Sequence, residues 1–165
     1  MGHHKSNFLK LLIPVVGIGF SSLAAEAGRT VDKKVHTAQP VNPHPPILDG
    51  RLDDPCWGKA QWGSDFVQRE PYEGAEPSET TEFAMLYDQR NLYVAVRALE
   101  SDPNVIEKRV TRRDDQDGDY LAVAIDSYFD HRTAFVFSVN AAGVKTDYLV
   151  TNNGDNEDYG WDPVW

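Results

Sequence analysis

Thr81-Glu82-Phe83-Ala84-Met85-Leu86-Tyr87, Asp88-Gln89-Arg90-Asn91 and Leu92-Tyr93-Val94-Ala95-Val96-Arg97-Ala98 follow one another without interruption. In the first run Thr81, Phe83, Met85 and Tyr87 alternate with Glu82, Ala84, Leu86 and Asp88, the period of a half-buried strand. Leu92, Val94, Val96 and Ala98 alternate in the same way with Tyr93, Ala95, Arg97 and Leu99. The four polar residues between the runs are turn formers, so the segment predicts an antiparallel hairpin.

The same period continues outward. Tyr120 to Asp126 reads as an apolar strand, and Thr133 to Val139 as another. Asn140-Ala141-Ala142-Gly143 is a turn leading to a partner at Val144 to Thr151. Asp102-Pro103 can cap a short helix through about Arg109, with Asp at the N-cap and Pro at the first helical position. Arg112 to Asp119 is polar and reads as a loop. Several short strands with turns at near-regular spacing predict an all-β chain, an antiparallel, jelly-roll-like β-sandwich with one short helix.

Residues 1–27 differ from the rest. Lys5 and Lys10 precede an apolar run from Leu11 to Phe20, and Leu23-Ala24-Ala25-Glu26-Ala27 supplies small residues for cleavage after Ala27. This is the pattern of a secretory signal peptide, and the apolar run is short of the roughly 20 residues of a spanning helix. Export to the periplasm, the outer-membrane surface or the exterior is therefore expected. Residues 28–46, ending in Pro43-His44-Pro45-Pro46, read as a Pro-rich linker.

The chain has 165 residues, a formal charge of −10, 41% hydrophobic and 11% aromatic residues. That composition calls for a packed core and excludes a disordered chain. The acidic balance argues against nucleic acid or an anionic bilayer as partner. The single thiol, Cys56, allows no internal disulfide, and its neighbour Trp57 suggests a buried, inert position.

Three segments together resemble family-9 carbohydrate-binding modules. Ile47 to Trp57, with Asp49-Gly50, acidic Asp53 and Asp54 and then Trp57, resembles the opening signature. Leu86-Tyr87-Asp88 with Asn91 to Val96 resembles the central hairpin, and Gly118 to Asp126 the following acidic strand. Arg132 to Asn140 and Trp161-Asp162-Pro163-Val164-Trp165 are similar to the variant found at the N-terminus of large secreted or envelope bacterial proteins with an uncharacterised C-terminal region. The resemblance spans residues 47–165 and implies a β-sandwich that binds polysaccharide, xylan or another plant glycan, with bracing calcium ions. It also expects at least two more strands after Trp165, so the length reads as a leader plus an incomplete module, its last strand edge unpaired.

A sugar offers an apolar face to an aromatic plate and hydroxyls to carboxylate and amide groups. Trp161, in a Gly/Asn/Asp loop, is the leading platform candidate, with Trp62 and Tyr72 beside it; Trp57 reads as a core anchor. The family's clamp tryptophan would fall around Gln116, yet no Trp occurs between Trp62 and Trp161. The clamp is therefore carried over to no residue here. Asp115, Asp117 and Asp119 at alternate loop positions, with Asp126 beyond, are candidate calcium ligands; a solvated acidic loop is the alternative. A second acidic cluster runs from Asn152 to Asp158.

A glycosidase needs two carboxylates about 5–9 Å apart, a criterion that selects nothing in so acidic a chain. Phosphate-loop, nucleophile-elbow and zinc-protease motifs are missing from the sequence. No catalytic residue is assigned, and any O-glycosyl hydrolase activity is expected of a parent protein. The expected function is polysaccharide binding in carbohydrate catabolism. The alternative is a structural module that docks onto a C-terminal region or another envelope protein.

Overall fold

A computed structural model describes residues 34–165; the expected signal peptide lies outside the described residues. The chain is all-β, 31% strand against 7% helical, with its strands divided between two antiparallel-rich sheets. Two compact units hold them, one from residues 34–67 and 76–101, the other from 68–75 and 102–165. Among the described residues no helix is long and apolar enough to cross a membrane.

The first unit is built on the predicted hairpin. Strands β1 (Gln39–Pro40), β2 (Trp62–Gly63), β3 (Thr81–Tyr87) and β4 (Leu92–Ala98) form its sheet. β3 and β4 pair along their full length, with Ala84 opposite Ala95 and Leu86 opposite Tyr93. β2 runs antiparallel to β3 and β1 parallel to it. The stretch read as a linker thus contributes a strand, and the Val41 N–H extends this pairing to the Tyr87 carbonyl at 2.9 Å.

The hairpin's most deeply buried face carries small residues. Ala84 and Ala95 pack with Leu86, Cys56 and Trp57, because a buried indole needs short side chains opposite it to reach close packing. Trp57 is the core anchor that its signature predicts, and Cys56 is buried and free. The acidic residues of that signature build turns: Asp49 accepts from the Arg51 N–H at 2.9 Å, and Asp54 from the Ile47 N–H at 3.3 Å.

The second unit holds β5 (Tyr120–Ile125), β6 (Ala134–Asn140), β7 (Lys145–Thr151) and β8 (Asn156–Asp158) in consecutive antiparallel order. The three longer strands match the predicted ones to within a residue or so at each end. β8 emerges from the end of the Asn/Asp cluster read as a loop, with Glu157 opposite Val150.

The expected short helix from Asp102 to Arg109 is not formed; a single 3₁₀ turn, Pro103–Val105, stands there. Its cap is the predicted one, since Asp102 accepts from the Asn104 N–H at 3.1 Å. The helix stops because Ile106 is extended and Glu107 finds other partners. Its N–H donates to Asp119 Oδ2 at 3.0 Å, and its carbonyl accepts from the Asp119 N–H at 3.0 Å. Gly118 makes this approach possible: its φ is +77°, and a Cβ there would collide with the Glu107 carbonyl oxygen.

Candidate functional site

Register places alternate residues of the second sheet on one face. Ala122 lies opposite Ser138 and that residue opposite Thr146; Ala124 lies opposite Val136 and that residue opposite Tyr148. Tyr120 and Glu157 share this face by the same alternation. Short side chains in the middle strands leave space that the tyrosines frame.

The result is a cleft of about 460 Å³ whose aromatic walls are Tyr120, Tyr148 and Tyr159. Its polar lining is Arg69, Glu70, Gln116 and Glu157. Arg69 and Glu70 arrive on a closed loop: Gln68 N–H donates to the Ala75 carbonyl at 2.8 Å, and Gly74 N–H to the Gln68 carbonyl at 2.9 Å. Gln116 is held by its amide, which donates to Ser138 Oγ at 3.0 Å.

Tyr148 and Tyr159 stack with centroids 4.9 Å apart and planes inclined by 30°. The Tyr159 hydroxyl donates to Glu157 Oε2 at 2.8 Å. Burial, and then the Glu157 charge, push the Tyr148 phenol up to about 12. Tyr159 is raised by burial and by its bond to Glu157, and Tyr120 by burial and the Glu157 charge, against a lowering by Arg69. All three stay neutral hydroxyls at ordinary pH, able both to donate and to accept. Aromatic faces beside carboxylate, amide and guanidinium groups can hold a small polar ring by stacking and by hydrogen bonds.

The aromatic residues singled out from sequence take separate places within their own units. Trp62 lies in the first unit, half-buried; its indole N–H donates to the Trp57 carbonyl at 3.2 Å, and the Arg97 guanidinium covers its ring at 3.9 Å. Trp161 lies in the second unit against Phe135 and Phe137, at 4.8 and 5.5 Å. Those phenylalanines alternate with Val136 and Ser138, so Trp161 packs on the sheet face opposite the cleft. Tyr72 is exposed on the loop that delivers Arg69 and Glu70.

The four candidate calcium ligands do not form one site. Asp119 precedes β5 and Asp126 follows it, and a six-residue strand separates its ends by about 20 Å. Asp117 pairs with Arg109 at 3.2 Å and accepts from the Gly118 N–H, while Asp119 takes the Glu107 N–H. Asp126 accepts from the Asp130 and His131 N–H groups at 3.2 and 2.8 Å. The Asp115 main chain, not its carboxylate, holds the turn, its N–H donating to the Arg112 carbonyl at 3.1 Å. Among the described residues no group of three or more His, Cys, Asp or Glu side chains converges on a point that could hold a metal ion.

Sequence reasoning passed over the tyrosines. The signal was present, because Tyr120 and Tyr148 begin and interrupt the alternation of their strands, but nothing local pairs them. Gln116, marked only as the position of a missing tryptophan, lines the cleft. No family model, no curated protein and no solved structure matches this chain.

Proposed function

We propose that this chain is an exported carbohydrate-binding module that holds a polysaccharide for carbohydrate catabolism, with the tyrosine cleft as its glycan site. The observation that carries the reading is the stacked Tyr148–Tyr159 pair, with Glu157 hydrogen-bonded to one of its hydroxyls. The stack offers a plate for the C–H face of a pyranose, and Glu157, Glu70, Arg69 and Gln116 offer hydroxyl partners of both polarities. The family's clamp tryptophan has no counterpart here, so the reading rests on the cleft and on the resemblance of residues 47–165 as a whole. Export rests on the leader pattern of residues 1–27.

Affinity is expected to be micromolar or weaker, because sugar hydroxyls are desolvated before they are bonded again. Calorimetric titration against xylan, cellulose and their oligosaccharides, each with and without calcium, tests the reading. Saturable heat that Tyr159→Ala removes supports it. Absence of heat with every one of these neutral oligosaccharides at millimolar concentration, both with and without calcium, overturns xylan and cellulose as ligands and favours the docking-module alternative. A calcium-dependent affinity would assign calcium as a bracing ion.

A further inference from the structure

The charge of the cleft narrows the class of glycan, given that the cleft is a glycan site as proposed above. Tyr120, Tyr148, Tyr159 and Glu157 line one space. Glu157 Oε2 takes the Tyr159 hydroxyl at 2.8 Å, and its second oxygen has no hydrogen-bond partner among the described residues. Glu70 adds a second carboxylate to the lining, against one cation, Arg69. Aromatic faces grouped around a carboxylate are the chemistry that holds an organic ammonium: the ring quadrupole attracts the cation and the carboxylate supplies the counter-charge. The chain as a whole carries −10, which favours approach of a cationic polymer and opposes a polyanion.

We infer that the cleft selects a glycan bearing protonated amines, a glucosamine-type polysaccharide, over neutral xylan-like and uronate polymers. The ammonium sits against the tyrosine faces beside Glu157, while the pyranose ring uses the Tyr148–Tyr159 stack. The Glu157 charge also helps to raise the phenols of Tyr120, Tyr148 and Tyr159, after burial. Arg69, the cation of the lining, opposes an incoming ammonium and sets a limit on affinity.

The experiment is a titration of the intact chain at about pH 6, where carboxylates are ionised and sugar amines are largely protonated. Four tetrasaccharides are compared: of glucosamine, of N-acetylglucosamine, of xylose and of galacturonate. The first two share ring and linkage and differ at the nitrogen of each residue, a protonated amine in one and an uncharged acetamide in the other. The expected result is at least about tenfold tighter binding of the glucosamine oligomer than of its acetylated twin, with an affinity that falls as salt is raised. Glu157→Gln, which keeps the shape, is expected to abolish that preference, and Arg69→Gln to tighten amine binding. Opposite effects from two exposed positions separate charge from any loss of folding. Equal affinity for charged and acetylated oligomers, or a preference for galacturonate, overturns the amine selectivity and leaves glycan binding standing. Binding of none of the four overturns both.

Discussion

The indole N–H of Trp165 donates to Asp147 Oδ1 at 2.9 Å, and that carboxylate is completely buried. Arg113 pairs with the same oxygen, and its guanidinium also reaches Asp162 at 2.8 Å and the Pro163 carbonyl at 3.1 Å. Lys145 Nζ stands 4.5 Å from the Trp165 ring centroid. The segment Trp161–Trp165 is thereby fastened along the face of β6 that carries Phe135 and Phe137, with Phe137 and Trp165 centroids 5.3 Å apart. Trp161, the leading platform candidate from sequence, packs here on Phe135 and Phe137.

Removing this carboxylate leaves a guanidinium and an indole N–H without their shared acceptor. Asp147→Ala is expected to cost about 2–3 kcal/mol in urea denaturation. Trp165→Phe keeps the contact with Phe137 and loses one hydrogen bond, a cost of about 1 kcal/mol. A larger loss from Trp165→Phe than from Asp147→Ala would contradict the carboxylate as the organising group.

The hairpin turn depends on Asp88. Its Oδ1 accepts from the Arg90 and Asn91 N–H groups at 2.7 and 2.8 Å, and its Oδ2 from the Tyr93 hydroxyl at 2.7 Å. The Arg90 N–H first, then Tyr93 and Asn91, lower the carboxyl to about 2 from its ordinary 3.8. A depressed folded value means that the contribution is complete above about pH 4 and lost as pH falls through 2. The destabilisation of Asp88→Ala should therefore be full at neutral pH and shrink toward zero near pH 2; equal destabilisation at both would refute this account.

The cleft phenols titrate in the opposite sense. Tyr148 is pushed up to about 12, and Tyr159 is raised by burial and by its bond to Glu157. Raised folded values favour the folded state below about pH 10, and that stabilisation fades as pH climbs through the folded values. Ultraviolet titration should show these two phenols ionising above the ordinary phenol value of 10. Glu157→Gln should bring Tyr159 down, because it removes a charged acceptor; an unchanged titration curve would dismiss that hydrogen bond.

Gly118 is required twice, for a φ of +77° and for contact with the Glu107 carbonyl. Gly118→Ala is expected to cost about 1–3 kcal/mol. Gly143→Ala, also at positive φ (+83°) but with open space around the added methyl, should cost less. Equal losses in thermal melts would show that the close approach carries no energy of its own.

Local periodicity and turn chemistry made the hairpin legible, since Asp88-Gln89-Arg90-Asn91 and the alternation around it are satisfied within the segment. The same held for the strands near Tyr120, Ala134 and Lys145. Capping at Asp102 is equally local and forms as its sequence dictates, but the helix beyond it does not form, because Asp119 competes for the Glu107 backbone from a distant loop. Candidate ligands at alternating positions in the acidic loop looked like a cation site, and a strand's length separates Asp126 from the others.

What the sequence determined by itself, then, was a class: an all-β chain, its strands and its turns, all set by interactions a few residues long. Tertiary structure alone decided which aromatics meet. Trp62 and Trp161 went to separate units as packing groups, while the register of β5, β6 and β7 set Tyr120 and Tyr148 on one face beside Tyr159 and Glu157. Strand pairing depends on competition among distant segments for backbone partners and buried surface, and no single stretch of sequence contains that contest.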